Sequence, residues 1–279
     1  MKLTFLFIIT GLLSASFCNR SSDFANTEIL RNETYGPNAR NKMDVYLPAN
    51  RDSNTATVML IHGGAWMIGS KSGWPKDVIS GILKQGYAVT CINYRYACGD
   101  FHVQMDDVKM AINFINTKSA TWKTGHGKLG LVGVSAGAHM ALLYANAYDS
   151  TGNVKAVVSL AGPTDLSDKL LFQYLQHYGI GFCLKRFLGS SLQDNPKVYA
   201  DASPIFHCSN VPCLFINGGK DDLVPAVQAF RMHDTLMAHG VPTDTVVFGN
   251  AGHYIYGPRN VNDAPITTRI NNWMKLYLH

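Results

Sequence analysis

The chain has 279 residues, of which 47% are hydrophobic, 15% charged and 11% aromatic. That balance excludes a disordered or collagen-like chain and is ample for a buried core. The formal charge of +5 is spread without a dense Lys/Arg run, so a nucleic-acid partner is not expected.

The chain opens with Met1-Lys2, an apolar run over 3–13 and the small residues Ser14-Ala15-Ser16. A cationic start, a short greasy stretch and small residues make the pattern of a secretory signal peptide. The run covers about eleven residues, well short of the ~20 that a membrane-spanning helix needs. Residues 1–18 are therefore read as an export signal and 19–279 as a single folded domain. Cys18 sits where a lipoprotein cysteine would, which makes a lipid anchor the alternative, although Phe17 is bulky where a small residue is expected. Five cysteines follow: Cys91, Cys98, Cys183, Cys208 and Cys213. Their spacings match no zinc pattern, and Cys91 falls in a β-rich run where a packed thiol is expected.

From residue 29 a rhythm sets in. Short β-rich runs occupy 29–35, 43–47, 57–62, 88–94, 129–134, 154–160, 213–217 and 245–248. Several are continuous Val/Ile/Leu blocks, as in strands covered on both faces. Helix-like segments fall at 75–85, 101–118, 136–148, 225–239 and 263–278. In the second, Val103, Val108, Ile112 and Ile115 mark one apolar face. Such alternation predicts a mostly parallel, eight-stranded sheet wrapped by helices. One interval breaks it. The stretch of about 163–210 is far longer than a normal connection, and the richness of 166–188 in Leu, Phe and Tyr predicts a helical insertion over the sheet edge.

The sharpest chemical signal is Gly133-Val134-Ser135-Ala136-Gly137, between a predicted strand and an Ala-rich helix. A strand–Ser–helix turn is tight, needs small flanking residues, and lifts the hydroxyl above the sheet near a helix N-terminus. His62-Gly63-Gly64-Ala65-Trp66 follows the 57–61 run, and consecutive glycines there let backbone N–H groups turn toward a developing oxyanion. His62 is expected to brace that loop. A serine nucleophile also needs a base and a group to orient it. Asn217-Gly218-Gly219-Lys220-Asp221-Asp222 places a carboxylate after a late strand, and Gly249-Asn250-Ala251-Gly252-His253 places an imidazole after the last one. On composition alone Asp221 and Asp222 are equivalent, and Asp165 in Gly162-Pro163-Thr164-Asp165 is a third carboxylate, with a capping role at Leu166 as its plainer reading. His139, His233, His239, His102, His126 and His177 fall on helices or loops where packing or surface roles are expected. No pair of them resembles a metal site.

These residues resemble the α/β-hydrolase superfamily, and within it the hormone-sensitive-lipase-like and bacterial feruloyl- and acetyl-esterase-like carboxylesterases. The matching pieces are Met43-Asp44-Val45-Tyr46-Leu47-Pro48, His62 to Trp66, Asn93-Tyr94-Arg95, Gly133 to Gly137, Asp221 to Pro225 and Gly252-His253. The resemblance implies an α/β-hydrolase fold with a cap, and a Ser135, His253, Asp221 triad that needs neither metal nor other cofactor. It also implies an oxyanion hole from the N–H groups of Gly64, Ala65 and Ala136. Two positions depart from the pattern: Ala65 stands where lipase relatives often carry a third glycine, and Asn217 where relatives often have His.

The expected reaction is two-step acyl transfer from a small-molecule or carbohydrate ester, with acetyl or feruloyl groups as candidates. Trp66 and Tyr254 are the expected substrate contacts, with Tyr256 and Trp74 as further aromatic walls. An arylformamidase-like amidase uses the same triad, and a non-catalytic hydrolase-fold binding protein generally lacks one of its members.

Overall fold

A computed structural model describes residues 24–255 and 262–278. The leader pattern, Cys18 and Tyr256 lie outside these described residues. Eight strands form one sheet: β1 (Thr27–Thr34), β2 (Lys42–Pro48), β3 (Thr57–Ile61), β4 (Ala88–Ile92), β5 (Leu129–Val134), β6 (Val154–Leu160), β7 (Cys213–Gly218) and β8 (Thr243–Phe248). Their order across the sheet is β1-β2-β4-β3-β5-β6-β7-β8. Only the pairings of β2 with β1 and with β4 are antiparallel. From β4 to β8 every pairing is parallel.

The Val/Ile/Leu blocks account for that layout. All residues of β3, β4 and β5 are buried, as expected of central strands sandwiched between helices. One face packs on α1 (Lys76–Leu83) and α8 (Asp263–Tyr277) through Ile79, Ile82, Ile266, Ile270 and Met274. The other carries α2 (His102–Trp122) and α3 (Ala136–Leu143) through Val108, Ile112, Ile115, Met140 and Leu143. The second helix runs a turn further than its sequence pattern predicts. It stops at Lys123, whose left-handed φ of 53° lets the N–H groups of Lys123 and Thr124 close on the carbonyls of Ala120 and Ser119. The helix expected over 136–148 is α-helical only to Leu143 and then widens into a π-helical turn over Tyr144–Tyr148.

Between β6 and β7 the chain forms α4 (Lys169–His177), α5 (Phe182–Leu188) and α6 (Pro196–Asp201). The N-cap of α4 is Asp168, whose side chain accepts from Leu170 N. The cap is therefore not Asp165, and the helix begins at Lys169 rather than Leu166. After β7 comes α7 (Val227–Ala238). All five described cysteines are free thiols, and Cys91 is buried in β4.

Candidate active site

Ser135 stands at the sharp turn from β5 into α3, with φ 52° and ψ −121°. That left-handed backbone is strained for a residue with a Cβ and persists only when neighbours enforce it. They do so here: Ser135 N donates to Leu160 O at 2.8 Å, and Ser135 O accepts from His139 N at 3.0 Å. Gly137 cannot be larger, since a Cβ there would lie 2.2 Å from Ile61 O. The flanking glycines of the motif are thus steric necessities of helix-on-strand contact.

The loop after β8 carries His253 to this turn. His253 Nε2 lies 3.0 Å from Ser135 Oγ, and Nδ1 lies 2.9 Å from Asp221 Oδ2. Asp221 comes from the loop after β7 and is buried, with Oδ1 accepting from Leu223 N at 3.0 Å and Val224 N at 2.8 Å. Its carboxylate is acceptor-only, so Nδ1 carries the proton and Nε2 is left to accept from the serine hydroxyl. The other two carboxylates face elsewhere. Asp222 accepts from the Tyr178 hydroxyl at the surface. Asp165 accepts from Ser167 N at 2.9 Å and pairs with Arg231 at 2.9 Å.

The glycine loop is strapped down by the other motif pieces. Gly64 has φ 116°, and Met67 N and Ile68 N both donate to its carbonyl. Tyr94 Oη donates to His62 O at 3.1 Å and its ring stacks on the His62 imidazole at 4.2 Å. Asn93 Oδ1 accepts from Lys71 N at 2.7 Å, and the Lys71 ammonium pairs with Asp44 at 2.7 Å. Arg40 and Tyr96 both donate to Gly69 O. Asp107, fully buried on α2, accepts from Arg95 N and Nε, fixing the segment that carries Tyr94. The sequence holds Asp107 and Arg40 without any local signal of this role, because their partners lie on distant segments.

A cavity of about 470 Å³ opens over Ser135 and His253. The glycine loop lines one part, while Leu171, Leu175, Ile180, Leu223 and Val224 build an aliphatic wall. Trp66 and Tyr254 border it, but differently. Trp66 is 4% exposed with its indole packed inward, whereas Tyr254 is 84% exposed at the mouth. Trp74 is not at the cavity: it packs among Val78, Ile79 and Ile82 in the core on the α1 and α8 face. The wall is chiefly aliphatic because α4 contributes leucines where aromatic walls are expected from sequence. Among the described residues no Lys, Arg, Asp or Glu lines the cavity.

One family model matches residues 43–236, which contain the glycine loop, the turn at Ser135 and the loop that carries Asp221. The chain belongs to the BD-FAE family. This BD-FAE member is 25% identical over 253 residues to a probable isoprenylcysteine alpha-carbonyl methylesterase of Oryza sativa subsp. japonica, covering 82% of this chain and 58% of that protein. It is 27% identical over 231 residues to an esterase of Mycobacterium tuberculosis, covering 75% of this chain and 53% of that one. The chain thus spans little more than half the length of these curated relatives. Among solved structures, a truncated carbohydrate esterase from gut microbiota superposes with a TM-score of 0.74 at 21% identity, covering 90% of this chain and 99% of that one. The Pyrobaculum calidifontis esterase gives 0.72 at 21% identity, covering 90% and 84%. These likenesses show a shared α/β-hydrolase fold.

Two histidines of this BD-FAE member are buried and neutral. Burial pushes His62 down to about 4, opposed by its bond to Gly63 O and helped by nearby Arg40. Burial also pushes His139 down to about 4, opposed by its bond to Ala202 O. A histidine held below its ordinary value resists protonation when folded but not when unfolded. Its contribution is complete above about pH 6.5 and is lost as pH falls toward 4. Each should forfeit roughly 2–3 kcal/mol between pH 7 and about 4.5. Thermal unfolding at the two pH values should therefore show a marked acid loss, with a shallower dependence in His139→Asn. An equal dependence in that variant would contradict the assignment.

Proposed function

We propose that this protein is a serine carboxylesterase acting on neutral short-chain or small aromatic acyl esters, with acetyl or feruloyl groups on carbohydrate as its natural substrates. The observation that carries this reading is the unbroken line of hydrogen bonds from Asp221 through His253 to Ser135. His253 Nε2 takes the Ser135 proton as Oγ attacks the ester carbonyl, and Asp221 stabilises the imidazolium. The same imidazolium returns its proton to the leaving alkoxide, leaving an acyl-enzyme. Water then repeats the attack through His253 and releases the acid.

The oxyanion is assigned to the N–H groups of Gly64, Ala65 and Ala136. Ala136 is the first residue of α3, so its N–H has no partner within the helix. Support for Gly64 and Ala65 comes from their left-handed φ values of 116° and 48°, which reverse the loop beside Ser135. The leader pattern over 1–18 supports export, which would bring the enzyme to extracellular or periplasmic esters. A panel of nitrophenyl acetate and butyrate, feruloyl esters and acetylated sugars tests the proposal. Turnover of at least one class is expected, and inertness toward all would overturn it.

The aliphatic wall also sets a charge preference. A carboxylate buried without a partner costs several kcal/mol. Nitrophenyl butyrate is therefore expected to exceed the mono-nitrophenyl ester of succinate by ~10² in kcat/KM. Equal values for the two would mean that a cation reaches the acyl pocket.

A further inference from the structure

Ala65 and Trp66 both hold left-handed backbone, with φ of 48° and 60°. Neither is glycine, so something outside the loop must hold them there. The buried Trp66 indole donates from Nε1 to His139 Nδ1 at 3.2 Å, and its ring stacks on Phe187 of α5 at 4.6 Å and 13°. His139 donates from Nε2 to the Ala202 carbonyl, just beyond α6, at 2.7 Å. A single neutral tautomer satisfies both bonds, with Nε2 protonated and Nδ1 bare. His139 also lies one turn after Ser135 and bonds its carbonyl through the backbone. One imidazole therefore joins the nucleophile helix, the glycine loop and the insertion.

We infer that His139 is a positioning residue. By accepting the Trp66 indole N–H, it holds the Gly64 and Ala65 amides at a set distance from Ser135 Oγ. The inference rests on the esterase reading. It gives Trp66 the role of loop anchor rather than substrate wall, and it gives His139 a task that simple packing does not require. Losing the acceptor leaves a buried indole N–H without a partner, and the indole must move to satisfy it. The strained pair at 65 and 66 then relaxes, and the amides shift. Misplacement by about 1 Å is worth up to ~10² in rate. The aliphatic wall of Leu171, Leu175, Ile180, Leu223 and Val224, which would hold the acyl group in the ground state, keeps its residues.

The test compares His139→Leu, His139→Asn, Trp66→Phe and the double variant Trp66→Phe/His139→Leu with wild type. Nitrophenyl acetate turnover and the rate of Ser135 labelling by a fluorophosphonate are both read. His139→Leu and Trp66→Phe should each lower kcat and the labelling rate by about 10- to 100-fold while KM stays within about threefold. The double variant should be no worse than the weaker single, because one hydrogen bond is removed either way. His139→Asn retains an acceptor near the Nδ1 position and should recover most of the loss. Trp66→Phe, which keeps the ring, decides the matter if His139→Leu does not fold. Single variants that match wild type, losses that multiply in the double variant, or losses that appear only in KM would overturn the inference. Wild-type protein inert to both ester and phosphonate would remove the esterase reading and this inference with it. An active wild type whose variants match it would remove this inference alone.

Discussion

Ser135→Ala is expected to lower ester turnover by about 10⁶ while leaving the fold intact. In the proposed mechanism Oγ is the atom that forms the acyl bond, and it lies 3.0 Å from His253 Nε2. The fold should tolerate the change. What holds the turn is backbone, from Ser135 N to Leu160 O and from His139 N to Ser135 O, and alanine keeps both bonds. Alanine also meets the left-handed φ of 52° with no more steric strain than serine. Circular dichroism and thermal unfolding should therefore be within about 1 kcal/mol of wild type. A variant that is folded and retains a tenth of the activity would assign the nucleophile elsewhere.

Asp221→Asn is expected to lower kcat by about 10⁴, whereas Asp222→Asn should stay within a few-fold. The two residues are neighbours of identical chemistry, so the difference isolates geometry. Asp221 accepts on both oxygens, from His253 Nδ1 on one and from Leu223 N and Val224 N on the other. An asparagine has one acceptor oxygen. If that oxygen faces the two backbone N–H groups, the NH₂ faces Nδ1 and turns the imidazole to the wrong tautomer, with Nε2 protonated and unable to accept from Ser135. If it faces Nδ1, the NH₂ is driven against the two N–H donors of the loop. Asp222 accepts from the Tyr178 hydroxyl at the surface, and asparagine can do the same. Steady-state kinetics of the two purified variants check this. A large loss confined to Asp222→Asn would reverse the assignment.

The strands and the sharp turn at Ser135 between β5 and α3 were legible in the sequence because their causes are local. Val/Ile/Leu blocks report two-sided burial, and glycines at 133 and 137 report the contact of α3 with β3 and β5. Element ends were less legible. The stop of α2 at Trp122 depends on a left-handed Lys123, which no residue type announces. The insertion has helices of six to nine residues, too short for periodicity to define their faces, so the leucines of α4 gave no sign that they would wall the cavity. The distinction between Asp221 and Asp222 depends on how one loop turns. The link from Trp66 to His139 spans 73 positions and that from His139 to Ala202 spans 63, so both exist only after the sheet has assembled. Asp44, Asn93 and Tyr94 are intermediate cases: the motif pieces were visible, but that they converge on the glycine loop was not.

Peptide mapping by mass spectrometry after reaction with a fluorophosphonate tests the nucleophile without knowledge of the substrate. One adduct is expected, on the peptide containing Ser135, with labelling slowed by orders of magnitude in His253→Ala. An adduct on another residue, or labelling of His253→Ala at the wild-type rate, would contradict a hydroxyl activated by that imidazole.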